Sequence, residues 1–220
     1  MIKSNRILVI LLAFFAVCLT ACGGGTGKGG TFGSAETLTF EGWESYKDTE
    51  LDKAEELFNN ALSLDPSFSE AFNGLGWLNF LKAGQETDSQ LRNKLLQSAR
   101  ENFLTATRAD PRNADAYVGL SGLELALGNY EDARISGNQA LSLDPVYFSS
   151  HDNIDFRDVH LTVAEALFFL GRFVATPDSP DPDNVLHHLN LLEDGFEASY
   201  LQNQLTPPDL IRKIEELQAP

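Results

Sequence analysis

The sequence predicts an all-α protein built from repeated helix–turn–helix units, and three observations carry that prediction. Asp-Pro closes successive segments at Asp65-Pro66, Asp110-Pro111 and Asp144-Pro145. Counting back from each proline, Ala61, Ala106 and Ala140 share one offset, Phe58 and Phe103 a second, and Ala54, Ala99 and Ala133 a third. The leading halves repeat as well: Gly42-Trp43 with Tyr46 recurs as Gly76-Trp77 with Phe80, 34 residues later. Proline cannot continue the helix it follows, alanine and glycine let helices approach, and aromatic rings fill the space between them.

These residues resemble the tetratricopeptide repeat (TPR), a helix–turn–helix of about 34 residues whose units stack into a solenoid. The resemblance spans residues 35–175 and implies a right-handed superhelix. It divides the chain into repeats at about 35–68, 69–113 and 114–147, with a degraded fourth at 148–176. Two departures stand out. Thr49 occupies a turn position where glycine is usual, and Gly137 stands where an aromatic is expected. The second unit is 45 residues long, and its surplus of eleven falls between Phe80 and Ala99. Leu91, Leu95, Ala99 and Phe103 recur every fourth residue, with N-cap candidates at Thr87, Asp88 and Ser89, which predicts a lengthened second helix near 88–109. In the fourth unit Val159, Val163, Ala166, Leu167 and Leu170 are spaced for a first helix, followed by a turn at Gly171. Pro177, Pro180 and Pro182 then break the pattern. Residues 177–220 read as a C-terminal cap of two amphipathic helices, 184–200 and 207–218, the second started by Thr206-Pro207-Pro208-Asp209. A solenoid needs such an element to cover its last apolar face.

The amino-terminal segment reads differently. Lys3 and Arg6 precede an apolar run at 7–17, and Leu19-Thr20-Ala21 places small residues before Cys22. A positive start, a short apolar run and a small-residue cleavage site make a secretory signal at residues 1–21, too short to span a bilayer. Leu19-Thr20-Ala21-Cys22 resembles the lipobox of bacterial lipoproteins. That resemblance implies cleavage after Ala21 and diacylation of Cys22. Gly23 follows, where aspartate would resemble an inner-membrane retention signal; in a two-membrane cell this points to the periplasmic face of the outer membrane. Residues 22–34 form the lipidated cysteine and a glycine-rich tether, with a reach of about 20 Å. Cys18 leaves with the signal and Cys22 carries lipid, so the expected mature domain has no disulfide and must hold itself together by its core.

Removing Lys3 and Arg6 from 16 basic residues leaves 14 against 32 acidic ones, a net charge of −18. Such a surface disfavours nucleic acid and anionic headgroups. It would speed association with a basic partner, or simply keep an exported protein soluble. No catalytic set is visible: a cysteine nucleophile, a Gly-x-Ser-x-Gly elbow, a phosphate-cradling loop and a His-Glu-x-x-His are all missing from the mature sequence. No enzyme activity, cofactor or metal is expected. His151, Asp152, Asp155, Asp158 and His160 could in principle hold a cation, but acids so placed fit a helix start. His187 and His188, being neighbours, point to different faces.

In TPR proteins the first helix of each repeat lines a concave groove. The resemblance therefore places Trp43, Tyr46, Asn73, Trp77 and Phe80 on a candidate partner-binding strip, with a hollow beside it at Val118, Gly122 and Leu125. The alternative is that these rings pack between helices. The groove positions lack the set of lysines, arginines and asparagines that clamps a terminal carboxylate, which disfavours acidic chaperone tails. The functional expectation is a lipid-anchored scaffold for a protein or peptide partner in the cell envelope. A small-ligand or peptide-binding lipoprotein using the aromatic hollow is the alternative.

Overall fold

The computed structural model describes residues 33–175 and 182–219. The signal, Cys22, most of the tether, Pro177 and Pro180 lie outside the described residues. Among the described residues there are ten helices in hairpin order: α1 (Ala35–Lys47), α2 (Leu51–Leu64), α3 (Ser69–Gln85), α4 (Ser89–Ala109), α5 (Ala114–Leu127), α6 (Tyr130–Leu143), α7 (Phe156–Phe169), α8 (Val185–Leu192), α9 (Phe196–Gln202) and α10 (Pro207–Leu217). None of them is long and apolar enough to cross a membrane.

The three repeats are α1–α2, α3–α4 and α5–α6, and their local chemistry explains their bounds. Each second helix ends on the aspartate of an Asp-Pro pair, whose N–H still bonds back to the alanine four residues earlier: Asp65 to Ala61, Asp110 to Ala106 and Asp144 to Ala140. The proline that follows cannot extend the ladder. Asp88 caps α4 by accepting from the N–H groups of Gln90 and Leu91, and Asn113 caps α5 by accepting from Ala116. Gly128 closes α5 and Gly171 ends the turn after α7, both with positive φ. Thr49 does the same work at φ 61, where its β-branched side chain is strained.

The helices meet through a ring-on-glycine lock. The Phe58 ring of α2 lies between Gly42 of α1 and Gly74 of α3, where an added Cβ would come under 3.0 Å from it on either side. Phe103 of α4 sits likewise between Gly76 of α3 and Gly119 of α5. The third unit reverses the arrangement and so explains Gly137. There the glycine is on the second helix, and Val163 of α7 and Ser121 of α5 fill the space, both under 3.0 Å from a Cβ built on it.

The eleven-residue surplus differs from expectation in one respect. It is shared between both helices of the hairpin, with α3 at 17 residues and α4 at 21, against 14 in α5 and α6. Leu96 packs on the core, but Leu91 is 46% exposed. The first of the added turns of α4 therefore leaves its leucine exposed to solvent, whereas the later ones reach the core.

Helix α7 begins with reciprocal bonds: Arg157 N–H donates to Asp155, and Asp155 N–H to Asp158 (2.7 and 2.9 Å). This supports the helix-start reading for those two acids. Leu161, Val163, Ala164 and Leu167 of α7 form a second core with Val185, Leu186 and Leu189 of α8, Phe196 and Tyr200 of α9, and Leu210 and Ile214 of α10. The expected single helix at 184–200 is broken in two. Glu193 leaves the helical region and Gly195 takes φ 80, which lets α9 turn back onto α8. The start of α10 is as the sequence predicts, with Thr206 donating to Asp209 through both its N–H and its hydroxyl (2.7 and 2.8 Å).

Two substitutions should move stability in opposite directions. Gly119→Ala places a methyl inside the Phe103 contact and is expected to cost about 1–3 kcal/mol. Thr49→Gly relieves a left-handed threonine and is expected to gain about 1 kcal/mol. Urea unfolding followed by circular dichroism measures both.

Candidate functional site

Trp43, Tyr46, Asn73 and Trp77 converge on one place, formed by the first helices α1, α3 and α5. Phe80 lies farther along, 6.4 Å from the Trp77 ring and facing Gly122. All five are buried. What covers the first four is the chain itself, in the loop between α6 and α7. Its neck is closed by backbone bonds from Ser149 N–H to Ile154 (2.8 Å) and from Phe156 N–H to Tyr147 (2.8 Å), and it carries His151 inward. The Ser149 hydroxyl accepts from the N–H groups of His151 and Asp152 (3.2 and 3.0 Å), shaping the tip.

Aromatic rings surround the His151 imidazole. It stacks on Trp43 at 4.0 Å and 10°, and meets Tyr46 at 5.8 Å and Trp77 at 5.3 Å edge to face. Its Nε2 pairs with Asp115 (2.9 Å) and its Nδ1 with Asp152 (3.0 Å). Asp115 Oδ2 also accepts from Asn73 (2.6 Å) and from the Trp77 indole (3.0 Å), and Oδ1 accepts from the Tyr147 hydroxyl. Tyr46 donates to Asp152 (3.1 Å).

The walls follow a repeat rule. Trp43 of the first unit donates to Glu70 at the start of α3 (2.9 Å), and Trp77 of the second donates to Asp115 at the start of α5 (3.0 Å). Glu70 and Asp115 hold equivalent places in consecutive repeats, each in the first turn of a helix whose dipole favours an anion. Glu70 is further bonded by Asn113 (3.1 Å). The sequence reading missed Glu70, Asp115, Tyr147 and the inward role of His151 and Asp152. Their signal was present as an acid at the second position of successive first helices, and an aromatic two residues after the third Asp-Pro proline.

The electrostatics are those of an ion pair in a low-dielectric box. Burial alone would lower the His151 pKa, but the hydrogen bonds and charges of Asp115 and Asp152 overturn this and raise it to about 9. Asp115 shows the same coupling from the other side: burial would raise its carboxyl, yet His151, Tyr147 and Asn73 hold it below the ordinary range. Burial and the Asp115 charge raise the pKa of Glu70. Burial, with the neighbouring acids, pushes the Tyr46 and Tyr147 hydroxyls up, so both stay neutral.

A second polar cluster joins the cap to the third repeat. His188 of α8 is buried, with Nε2 on Asp183 (3.0 Å) and Nδ1 facing Nδ1 of His160 on α7 (2.8 Å). Asp183 also accepts from Asn138 (2.7 Å) and pairs with Arg134 of α6. His187 is exposed, so the two neighbouring histidines do face apart. Burial and the adjacent imidazoles lower His160 to about 4. Asp183 falls to about 2: burial opposes ionisation, but His188 and Arg134 more than offset it. Among the described residues no group of three or more His, Cys, Asp or Glu side chains is arranged to hold a metal.

Residues 85–147 match the family model of the tetratricopeptide repeat. A thermophilic TPR protein of Thermus thermophilus has a similar structure, with TM-score 0.55 and 17% identity over 84% of this chain and 81% of that one. The OM64 TPR domain of Arabidopsis gives TM-score 0.47 at 17% identity, covering 60% of this chain and 93% of that domain. The first TPR of Spaghetti (RPAP3), bound to the HSP90 peptide SRMEEVD, gives 0.49 at 17% identity over 63% and 94%. No curated protein sequence matches the chain. The described residues form a helical solenoid of the kind seen in tetratricopeptide-repeat proteins, and residues 85–147 match that repeat in sequence.

The two clusters titrate with opposite sign. His151 has a folded pKa above its ordinary 6.5, so the stability it contributes is full below 6.5 and is lost as pH rises through about 9. His160 has a depressed pKa, so the neutral ring favours the fold above 6.5 and that contribution is lost as pH falls toward 4. Melting temperature measured between these limits should peak near pH 6.5. His151→Gln should flatten the alkaline limb and His160→Gln the acid limb.

Proposed function

We propose that this protein is a non-catalytic TPR scaffold, anchored by lipid at Cys22 in the bacterial cell envelope, that works by binding another protein. The observation that carries the reading is the convergence of Trp43, Tyr46, Asn73 and Trp77 from successive first helices onto one side of the solenoid. Tryptophan and tyrosine give large contact area at small entropic cost, as binding surfaces require, and here the loop carrying His151 covers that area, so a partner reaches it only by displacing the loop. The helices here supply walls and an acidic floor but no nucleophile beside a base.

The anchor is supported by the Leu19-Thr20-Ala21-Cys22 sequence and the glycine-rich tether behind it. Gly23 favours the outer membrane, at its periplasmic face. Confinement to one surface raises the effective concentration of partners in the same layer. The net charge of the chain, −16 before processing, favours a basic partner. Assembly of outer-membrane or surface complexes is work of the kind such a scaffold would serve.

Pull-down from detergent-solubilised envelope, comparing wild type with Trp77→Ala and Asn73→Ala, tests the binding face. Partners recovered by the wild type should be lost or reduced at least about tenfold by Trp77→Ala; unchanged recovery would overturn the assignment of that face. For the anchor, cells fed a labelled fatty acid should incorporate it into the wild type and not into Cys22→Ser. Equal labelling of both would remove Cys22 as the site.

A further inference from the structure

The occupant of the aromatic site is the least expected part of the molecule. Repeat helices α1, α3 and α5 build a box of Trp43, Tyr46, Trp77 and Asp115, and an interhelical loop fills it with one side chain. We propose that this box is a receptor for an arginine side chain on a partner protein, and that the loop 148–155 is its resident occupant, displaced when such a segment binds. The proposal rests on the reading above that the first-helix side binds protein, and adds what that partner must present.

Four observations converge on a basic side chain. Three aromatic rings enclose the imidazole, and the one that stacks on it is tryptophan, the best face for a cation. Two carboxylates flank it, Asp115 and Asp152, and among the described residues neither pairs with a lysine or arginine. Within that same set, His151 is their ionic partner. The donor count is also incomplete. Both imidazole nitrogens are used on Asp115 and Asp152, while Oδ1 of Asn73, a fully buried side chain bonded to Asp115, has no donor at all. A guanidinium brings five N–H groups in one plane, stacks flat on an indole as the imidazole does here, and offers more donors to this acceptor-rich site than the two of an imidazolium.

The occupant's attachment is of a kind that can be exchanged. Its neck is closed by Ser149 to Ile154 and Phe156 to Tyr147 and is held on the core through Tyr147, Ile154 and Phe156, whereas the tip residues His151 and Asp152 reach the repeat helices through side chains alone. Lifting His151 and Asp152 out therefore breaks side-chain contacts and leaves every repeat helix intact. Beside the neck, Val146 and Phe148 are 77% and 72% exposed, apolar ground next to the box on which the rest of a partner segment could lie.

The test uses a labelled peptide of residues 145–155 carrying His151→Arg, and the same peptide with citrulline in place of that arginine, which keeps the shape and removes the charge. Against full-length chain with Cys22→Ser, fluorescence anisotropy should show the arginine peptide binding a His151→Gly variant at least about tenfold more tightly than the chain with its own loop intact. The citrulline peptide should lose about tenfold on that variant, as should the arginine peptide when Asp115→Asn is added. Equal affinity for the two peptides, or no binding to a His151→Gly chain that melts cooperatively, would overturn the proposal. A second measurement needs no loop variant: on the unaltered loop, saturating arginine peptide should shift the Trp43 and Trp77 indole N–H resonances, and citrulline peptide should not. An absence of shifts with the arginine peptide sinks the idea. Should envelope partners still depend on Trp77 while the peptides fail, the binding face stands and the arginine receptor falls. If partners ignore Trp77, it is the binding face that falls.

Discussion

A phenylalanine ring pressed between two glycine backbones sets the spacing of this solenoid. Phe58 and Phe103 each reach from a second helix to the first helices on both sides, so one ring fixes three helices at once. No side chain can intervene at Gly42, Gly74, Gly76 or Gly119, and the helices come close enough for the remaining small residues, Ala54, Ala61, Ala99 and Ala106, to be fully buried. That closeness is why the repeats, with no disulfide among the described residues, hold a shared core through short helices, most of which would be marginal alone.

The same spacing creates the polar site. With phenylalanine already filling the space between helices, the tryptophans one residue after Gly42 and Gly76 turn their indole N–H groups along the first-helix side toward the next repeat. There each finds an acid in the first turn of the following helix. The indole stays buried with its donor satisfied, and the acid gains both a helix dipole and a hydrogen bond. Repetition thus places two acids, Glu70 and Asp115, at matching points along one side of the protein. The loop after the third repeat supplies His151, which pairs with Asp115 and with Asp152 of the loop itself, and these two carboxylates keep it charged in surroundings that would otherwise strip its proton.

Much of the fold was legible because periodic constraints leave periodic residues. Alanine, glycine, phenylalanine and proline at fixed offsets located the three hairpins, and the odd length of the second was visible in the gap between Phe80 and Ala99. What was not legible is what depends on a shape rather than a period. The surplus divided between α3 and α4 because a hairpin lengthens both its arms, and a residue count cannot show that. Helix 184–200 broke at Asp194-Gly195 because the cap must fold back on α7, although Val185, Leu189, Leu192 and Phe196 keep helical spacing. In the site, Trp43, Tyr46, Asn73 and Trp77 were readable as one strip because they share a helix position. Their acidic partners were readable in principle, since Glu70 and Asp115 also share one. His151 was not, for it sits in a loop with no repeat counterpart, and only its distance from Asp115 in space reveals its role.

The reversed lock at Gly137 has a consequence for how long this array can grow. A unit copied from residues 69–113 brings a ring on its second helix and glycines on its first, so copies of it could be stacked end to end. A unit copied from 114–147 cannot follow itself: Gly137 would face Gly119 of the copy, with neither ring nor Val163 to occupy the gap. The glycine that looks like a lapse in the pattern is therefore a terminator. It admits only a neighbour that brings its own bulk, as α7 does, and so fixes where the repeats stop and the cap begins.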